Sequence, residues 1–73
     1  MSLHPETFNY LKPTERQLFQ MQELREAYFK FAELLQRTLP DGADKRHVIG
    51  LIRDASMWSH VALTRNEDGS PRE

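Results

Sequence analysis

The sequence contains no cysteine, and none of its apolar runs is long enough to cross a membrane. Without cysteine, neither a disulfide framework nor a zinc–thiolate site can stabilise the chain. With 73 residues it forms one domain at most. Because a chain this short buries only a modest fraction of its surface alone, oligomerisation is the remaining way to complete its core.

The sequence also lacks an excess of charge of one sign, since its ten Lys and Arg residues are nearly balanced by eleven Asp and Glu residues. A protein that coats DNA needs a basic face, so we rank a helical DNA-binding protein last among the possible functions. The apolar share of 38% favours a folded chain over a disordered one. The first residues carry neither a basic stretch nor an apolar signal core, and we therefore expect the protein to act in the cytosol.

Enzyme motifs are missing as well. The sequence has no glycine-rich phosphate loop, no cysteine nucleophile and no paired histidines at helical spacing. We expect His4, His47 and His60 in exposed or capping roles rather than as metal ligands. The sequence thus predicts a protein that is not an enzyme and that holds neither a metal nor a cofactor.

The first helix is predicted from a capping signature. Thr14 and Gln17, directly after Pro13, can satisfy each other's backbone N–H groups, and the helix should run to about Thr38. Apolar residues recur at spacings of three and four along one side of it. They are Leu18, Met21, Leu24, Tyr28, Phe31, Leu35 and Leu39.

A second helix is predicted after the break at residues 40–42, with Asp41 or Asp44 as its N-cap and its end near Asn66. Its apolar stripe comprises Val48, Leu51, Ile52, Ala55, Trp58, Ala62 and Leu63. The short turn requires antiparallel neighbours. The predicted fold is therefore all-α, with an N-terminal arm (residues 1–13), a long antiparallel helical hairpin (14–66) and a flexible C-terminal tail (67–73).

The first helix is apolar beyond one stripe, because Phe19, Phe29 and Leu34 lie off it. A single hairpin cannot cover these side chains, so we expect a compact homo-oligomer. The alternative is a monomer in which the aromatic arm folds back over this surface. The arm is too short to cover both helices.

Three residues are candidates for ligand binding. Extending the first stripe by heptad logic places Arg25 at an inward position between two large side chains, where a charge requires an anion. A planar guanidinium matches a phosphate, but on the residues alone we favour an interhelical salt bridge to an acid such as Glu67 or Asp54. Tyr10 can stack on a flat base or can simply pack.

Arg65 is the third candidate, at the end of the second helix and hence near the arm in an antiparallel hairpin. There it can contact a ligand, or it can interact with the C-terminal helix dipole and need no ligand. We expect these three residues to converge at one end of the hairpin.

In their order, these residues resemble the helical hairpin shared by two phage anti-defence families, the anti-CBASS cyclic-oligonucleotide sponges and the anti-Thoeris cyclic ADP-ribose sponges. The absence of an added strand-rich domain resembles the anti-CBASS sponges more. The matching segments are Phe8-Asn9-Tyr10, Pro13, Leu24-Arg25, Ala32, Pro40, Ala55-Ser56-Met57-Trp58 and Ala62-Leu63-Thr64-Arg65-Asn66.

The resemblance implies a homohexamer, in the cytoplasm of an infected bacterial host, that encloses cyclic dinucleotides such as cyclic GMP-AMP between paired protomers. The signal is sequestered without cleavage, so that the CBASS effector is not activated. The implied ligand-binding residues are Tyr10, which stacks on bases, Arg25, which contacts phosphate, Arg65, Phe8 and Thr64. Separate sites for cyclic trinucleotides are also implied, without residues assigned here.

One position departs from the family pattern, since Arg25 stands where the family leads us to expect lysine, and this changes the geometry of a phosphate contact. The alternative function is a small structural or scaffold hairpin oligomer without a ligand. It explains the helices equally well, but it does not explain a tyrosine able to stack and two arginines gathered at one end.

Overall fold

The computed structural model describes residues 3–72 and confirms the predicted all-helical hairpin. Helix α1 spans Glu15–Thr38 and helix α2 spans Ala43–Thr64, and the two helices pack against each other. Residues 3–72 contain no β-strand, only an isolated bridge between Arg65 and Pro71. The radius of gyration of 15.3 Å exceeds the roughly 11 Å expected for a compact domain of this length, because the hairpin is long and thin.

Helix α1 begins at the predicted capping box. The Thr14 hydroxyl accepts a hydrogen bond from the Gln17 backbone N–H at 3.1 Å, and the Gln17 Oε1 accepts one from the Thr14 N–H at 2.9 Å. The helix ends at Thr38, as predicted. Leu39 is extended, with φ −83° and ψ 141°, because the following Pro40 disfavours helical backbone.

The predicted cap of α2 is wrong. Gly42 occupies the N-cap position, and no side chain caps the helix. Gly42 has φ +151°, a conformation that other residues rarely adopt, and this directs the chain into α2. Asp41 instead forms a salt bridge with Lys45, with 3.0 Å between Oδ1 and Nζ. Asp44 lies within the first helical turn, where its negative charge interacts favourably with the positive end of the helix dipole.

The interface between α1 and α2 is narrow. Met21, at 6% exposure, is the only buried apolar side chain in residues 3–72, and no large side chain there is fully buried. The interface also contains a hydrogen bond between the Tyr28 and Ser59 hydroxyl groups. Much of the apolar surface remains open. The exposed large apolar side chains on the helices are Leu18, Phe19, Phe29, Phe31, Leu34, Leu51, Met57, Trp58 and Val61.

Residues 66–72, which we name the C-terminal turn, reverse the chain after α2. Asn66 N–H donates to the Ser70 carbonyl at 2.8 Å, and Arg72 N–H donates to the Thr64 carbonyl at 2.8 Å. Helix α2 ends at Thr64, two residues before the predicted position. Most of the predicted flexible tail thus folds back in the structure, because Gly69, with φ +91°, permits the tight reversal. Residues 1, 2 and 73 of the predicted arm and tail lie outside the described residues.

Candidate ligand-binding groove

A groove of about 320 Å³ lies where the arm crosses the start of α1 and the end of α2. We name it the arm groove. It brings together Tyr10, Thr64 and Arg65 of the predicted ligand-binding set. Its other lining residues are Leu11, Pro13, Met21, His60 and Val61. Its walls are mainly apolar, with polar groups at the α2 end, which suits a flat ligand with polar substituents.

Tyr10 presents its ring almost entirely to solvent. The side chain is 86% exposed, and its hydroxyl makes no hydrogen bond to the rest of residues 3–72. The alternative of ordinary packing within one chain therefore does not describe Tyr10. Phe8 is 87% exposed but does not line the groove. An open tyrosine face at the edge of a groove is a suitable platform for stacking a base.

Arg65 is half-buried, and its guanidinium is turned toward the backbone of the arm. Its Nη1 donates to the Glu6 carbonyl at 2.8 Å and to the Gly69 carbonyl at 2.9 Å, and its Nη2 donates to the Asn9 carbonyl. Three of its five N–H groups are thus engaged. The Nε–H and the second Nη2–H are its remaining donors. Most of the hydrogen-bonding capacity of Arg65 is thus used to bind backbone carbonyls beside the groove, and little of it is left for a ligand.

Thr64 and His60 form the α2 wall of the groove. The Thr64 hydroxyl donates to the His60 carbonyl at 3.0 Å, so only its oxygen lone pairs remain for a ligand. The His60 Nε2 is buried and has no hydrogen-bond partner in the structure. Sequence reasoning did not select His60 for this groove. Its spacing of four residues before Thr64 was the available signal, because such residues share a helix face.

The predicted inward position of Arg25 is wrong, because this side chain is exposed. Leu24 and Arg25 flank the line from Met21 to Tyr28 on opposite sides of α1, so helical spacing alone does not decide between them. The structure half-buries Leu24 and leaves Arg25 exposed, because α2 packs on the Leu24 side. Within residues 3–72 Arg25 forms no salt bridge, and therefore none with Asp54 or Glu67. It lies one helical turn beyond Met21, outside the residues that line the groove.

The remaining polar groups, in the arm, the C-terminal turn and the first half of α2, act locally. His4 Nδ1 accepts a hydrogen bond from the Glu6 N–H at 3.0 Å, which is a capping role of the kind predicted, and His47 is exposed. Hydrogen bonds from the Ser70 hydroxyl and N–H lower the pKa of Asp68 in the C-terminal turn. In the described part of the chain, no three His, Cys, Asp or Glu residues are grouped closely enough to hold a metal ion.

Gln17 has, besides its predicted capping role, a second role that the sequence did not reveal. It is 5% exposed, and its Nε2 donates to the Leu63 and Arg72 carbonyls at 2.8 Å each. Its Oε1 accepts from Thr14, so this capping residue also joins α1 to the end of α2 and to the C-terminal turn.

Neither helix within residues 3–72 combines the length and the apolar content that a membrane span requires. Comparison of the chain with protein-family models, curated proteins and solved structures gave no match.

Proposed function

We propose that this protein is a phage anti-defence sponge that binds cyclic dinucleotides without cleaving them and so prevents activation of a CBASS effector in the host cytoplasm. The observation that carries the proposal is the exposed ring of Tyr10 at the edge of the arm groove, with Thr64 and Arg65 in the same groove. A base can stack on the ring while its polar edge faces the α2 wall. The resemblance of the sequence to anti-CBASS sponges supplies the class of ligand.

Assembly is part of the proposal, because the hairpin leaves large apolar side chains on both helices exposed. Trp58 on α2 is 70% exposed, and Phe29 on α1 is similarly open. Monomeric soluble proteins rarely leave large apolar patches exposed, and further copies of the chain would cover these side chains. The resemblance suggests six copies.

The complete binding site in this proposal lies between protomers. A cyclic dinucleotide offers flat bases and a ring bearing phosphates, and the arm groove of one chain provides mainly the surface for the bases. Arg25 is exposed and has no salt-bridge partner within residues 3–72, so it remains accessible to a phosphate held against another chain's arm groove. An arginine can contact a phosphate with two parallel hydrogen bonds.

Native mass spectrometry with a panel of cyclic dinucleotides, cyclic trinucleotides and cyclic ADP-ribose tests assembly and binding together. We expect a hexamer that retains cyclic dinucleotide, and chromatography of the denatured complex should recover the ligand intact. A linear product would indicate an enzyme instead. An assembled protein that retains no member of the panel would contradict the sponge and favour the structural or scaffold oligomer, whereas a folded monomer would contradict the assembly.

A further inference from the structure

We infer that Arg65 is a positioning residue, which fixes the Tyr10-bearing arm through backbone carbonyls and does not itself provide the principal phosphate contact. This inference rests on the proposed function where it concerns ligand affinity. Its structural part, the attachment of the arm, is independent of any ligand.

Arg65 binds the peptide unit that leads into Tyr10. The carbonyl that accepts from Arg65 Nη2 belongs to Asn9, and it lies in the same planar unit as the Tyr10 nitrogen. Holding this carbonyl therefore fixes the orientation of the backbone from which the Tyr10 side chain projects. The Tyr10 side chain has no hydrogen bond of its own within residues 3–72 to fix it, and it is almost fully exposed.

The planar shape of the Arg65 guanidinium suits it to bind several carbonyls at once. The two Nη atoms of Arg65 reach carbonyls in two separate segments, namely Glu6 and Asn9 in the arm and Gly69 in the C-terminal turn. A planar fork can donate in these directions at once, whereas a lysine ammonium donates from a single atom. Arginine is therefore needed here for its geometry as well as for its charge.

The C-terminal turn is itself held by hydrogen bonds from the side chains of Gln17 and Arg65. Gln17 Nε2 donates to the Arg72 carbonyl at one end of this turn, and Arg65 holds Gly69 within it. A Cβ atom on Gly69 would lie 2.6 Å from the Thr7 Oγ1, so the turn and the arm are packed closely. The arm thus packs against the C-terminal turn, and Gln17 of α1 holds this turn in position.

Backbone amide hydrogen exchange of the full chain without ligand tests the attachment. In Arg65→Ala and in Arg65→Lys, exchange at Thr7, Asn9 and Gly69 should accelerate by about tenfold or more, while amides in the middle of α1 should keep their protection. Arg53→Ala is the matched control, because Arg53 is an exposed arginine of α2 without a hydrogen bond to other described residues. Unchanged exchange in Arg65→Ala, or full protection in Arg65→Lys, would overturn the inference.

Cyclic dinucleotide affinity provides the second measurement. If Arg65 acts through Tyr10, Arg65→Ala and Arg65→Lys should each weaken binding by about tenfold, as we expect for Tyr10→Ala, and combining Tyr10→Ala with Arg65→Ala should add little. Additive losses, or an Arg65→Lys variant that binds like the parent, would identify Arg65 as an independent phosphate contact and contradict the inference. Should the parent bind no cyclic dinucleotide, the proposed function fails, and the exchange measurement alone decides the structural part.

Discussion

The hydroxyl groups of Tyr28 and Ser59 lie 2.7 Å apart and join α1 to α2 within their interface. The Ser59 hydroxyl donates to the Ala55 carbonyl at 2.8 Å, so its one proton is engaged and the Tyr28 hydroxyl is the donor of the pair. A hydrogen bond of this kind gives the narrow interface a defined register, because a shift of either helix along the other would leave the Tyr28 hydroxyl without its acceptor.

Tyr28→Phe removes the donor and leaves the ring in place. We expect the free energy of unfolding to fall by about 1 kcal/mol, since one partly buried hydrogen bond is lost. Urea denaturation at a fixed protein concentration measures the change, because assembly couples stability to concentration. Tyr10→Phe, which removes a hydroxyl that has no hydrogen-bond partner within residues 3–72, is the control and should unfold like the parent. Equal stability of the two variants would show that the bond contributes nothing.

Gln17→Ala should lower the free energy of unfolding more than Tyr28→Phe, because it leaves the Leu63 and Arg72 carbonyls and the Thr14 N–H without their partner. We expect a loss of about 2 kcal/mol, measured by thermal unfolding. Gln22→Ala, at an exposed position of the same helix, should change stability little. If both variants melt at the same temperature, Gln17 does not join the helices in solution.

The two glycines Gly69 and Gly50 should respond to alanine in opposite directions. Gly69 has φ +91°, and its added Cβ would collide with Thr7, so Gly69→Ala should destabilise the arm and accelerate exchange at Asn9. Gly50 lies in α2 with nothing within 4 Å of an added Cβ. Gly50→Ala should therefore raise stability by about 0.5–1 kcal/mol in thermal unfolding. A loss of stability in Gly50→Ala would indicate that another chain approaches the helix there.

Tyr10→Ala should weaken binding of cyclic dinucleotide by about tenfold or more, because stacking on an aromatic ring contributes roughly 1–3 kcal/mol per base. Tyr10→Phe keeps the ring and should lose little. Isothermal titration calorimetry measures both. The opposite pattern, with a large loss in Tyr10→Phe, would mean that the hydroxyl provides the main contact.

Arg25→Ala should weaken binding by about 2 kcal/mol if another protomer partly desolvates this side chain against a phosphate. The affinity of the parent should also fall with added salt. The variant must keep its oligomeric state and melting temperature for the comparison to hold. Arg25→Lys retains the charge without the fork and should lose less than Arg25→Ala. A folded Arg25→Ala oligomer that binds like the parent would exclude Arg25 from the site.

The predictions from sequence succeeded at the start of α1 and failed at the N-cap of α2. The pair Thr14 and Gln17 identified the start of α1, because a capping box needs only residues three positions apart. The inward position predicted for Arg25 was wrong, because helical spacing places Leu24 and Arg25 on either side of the apolar stripe and only the packing of α2 decides which of them is covered. The C-terminal turn is not among the predicted elements, although Gly69, which permits its tight reversal, is a local signal for a turn.

The sequence alone determined that this protein is a helical hairpin, where its first helix begins and ends, and that its apolar surface exceeds what one hairpin can cover. These features follow from local capping and from helical periodicity. Only the tertiary structure decided what Gln17 and Arg65 do. Four of the carbonyls they hold, those of Leu63, Arg72, Glu6 and Asn9, lie 46 to 59 positions away along the chain, and the choice of these carbonyls depends on how α1, α2 and the arm meet in space.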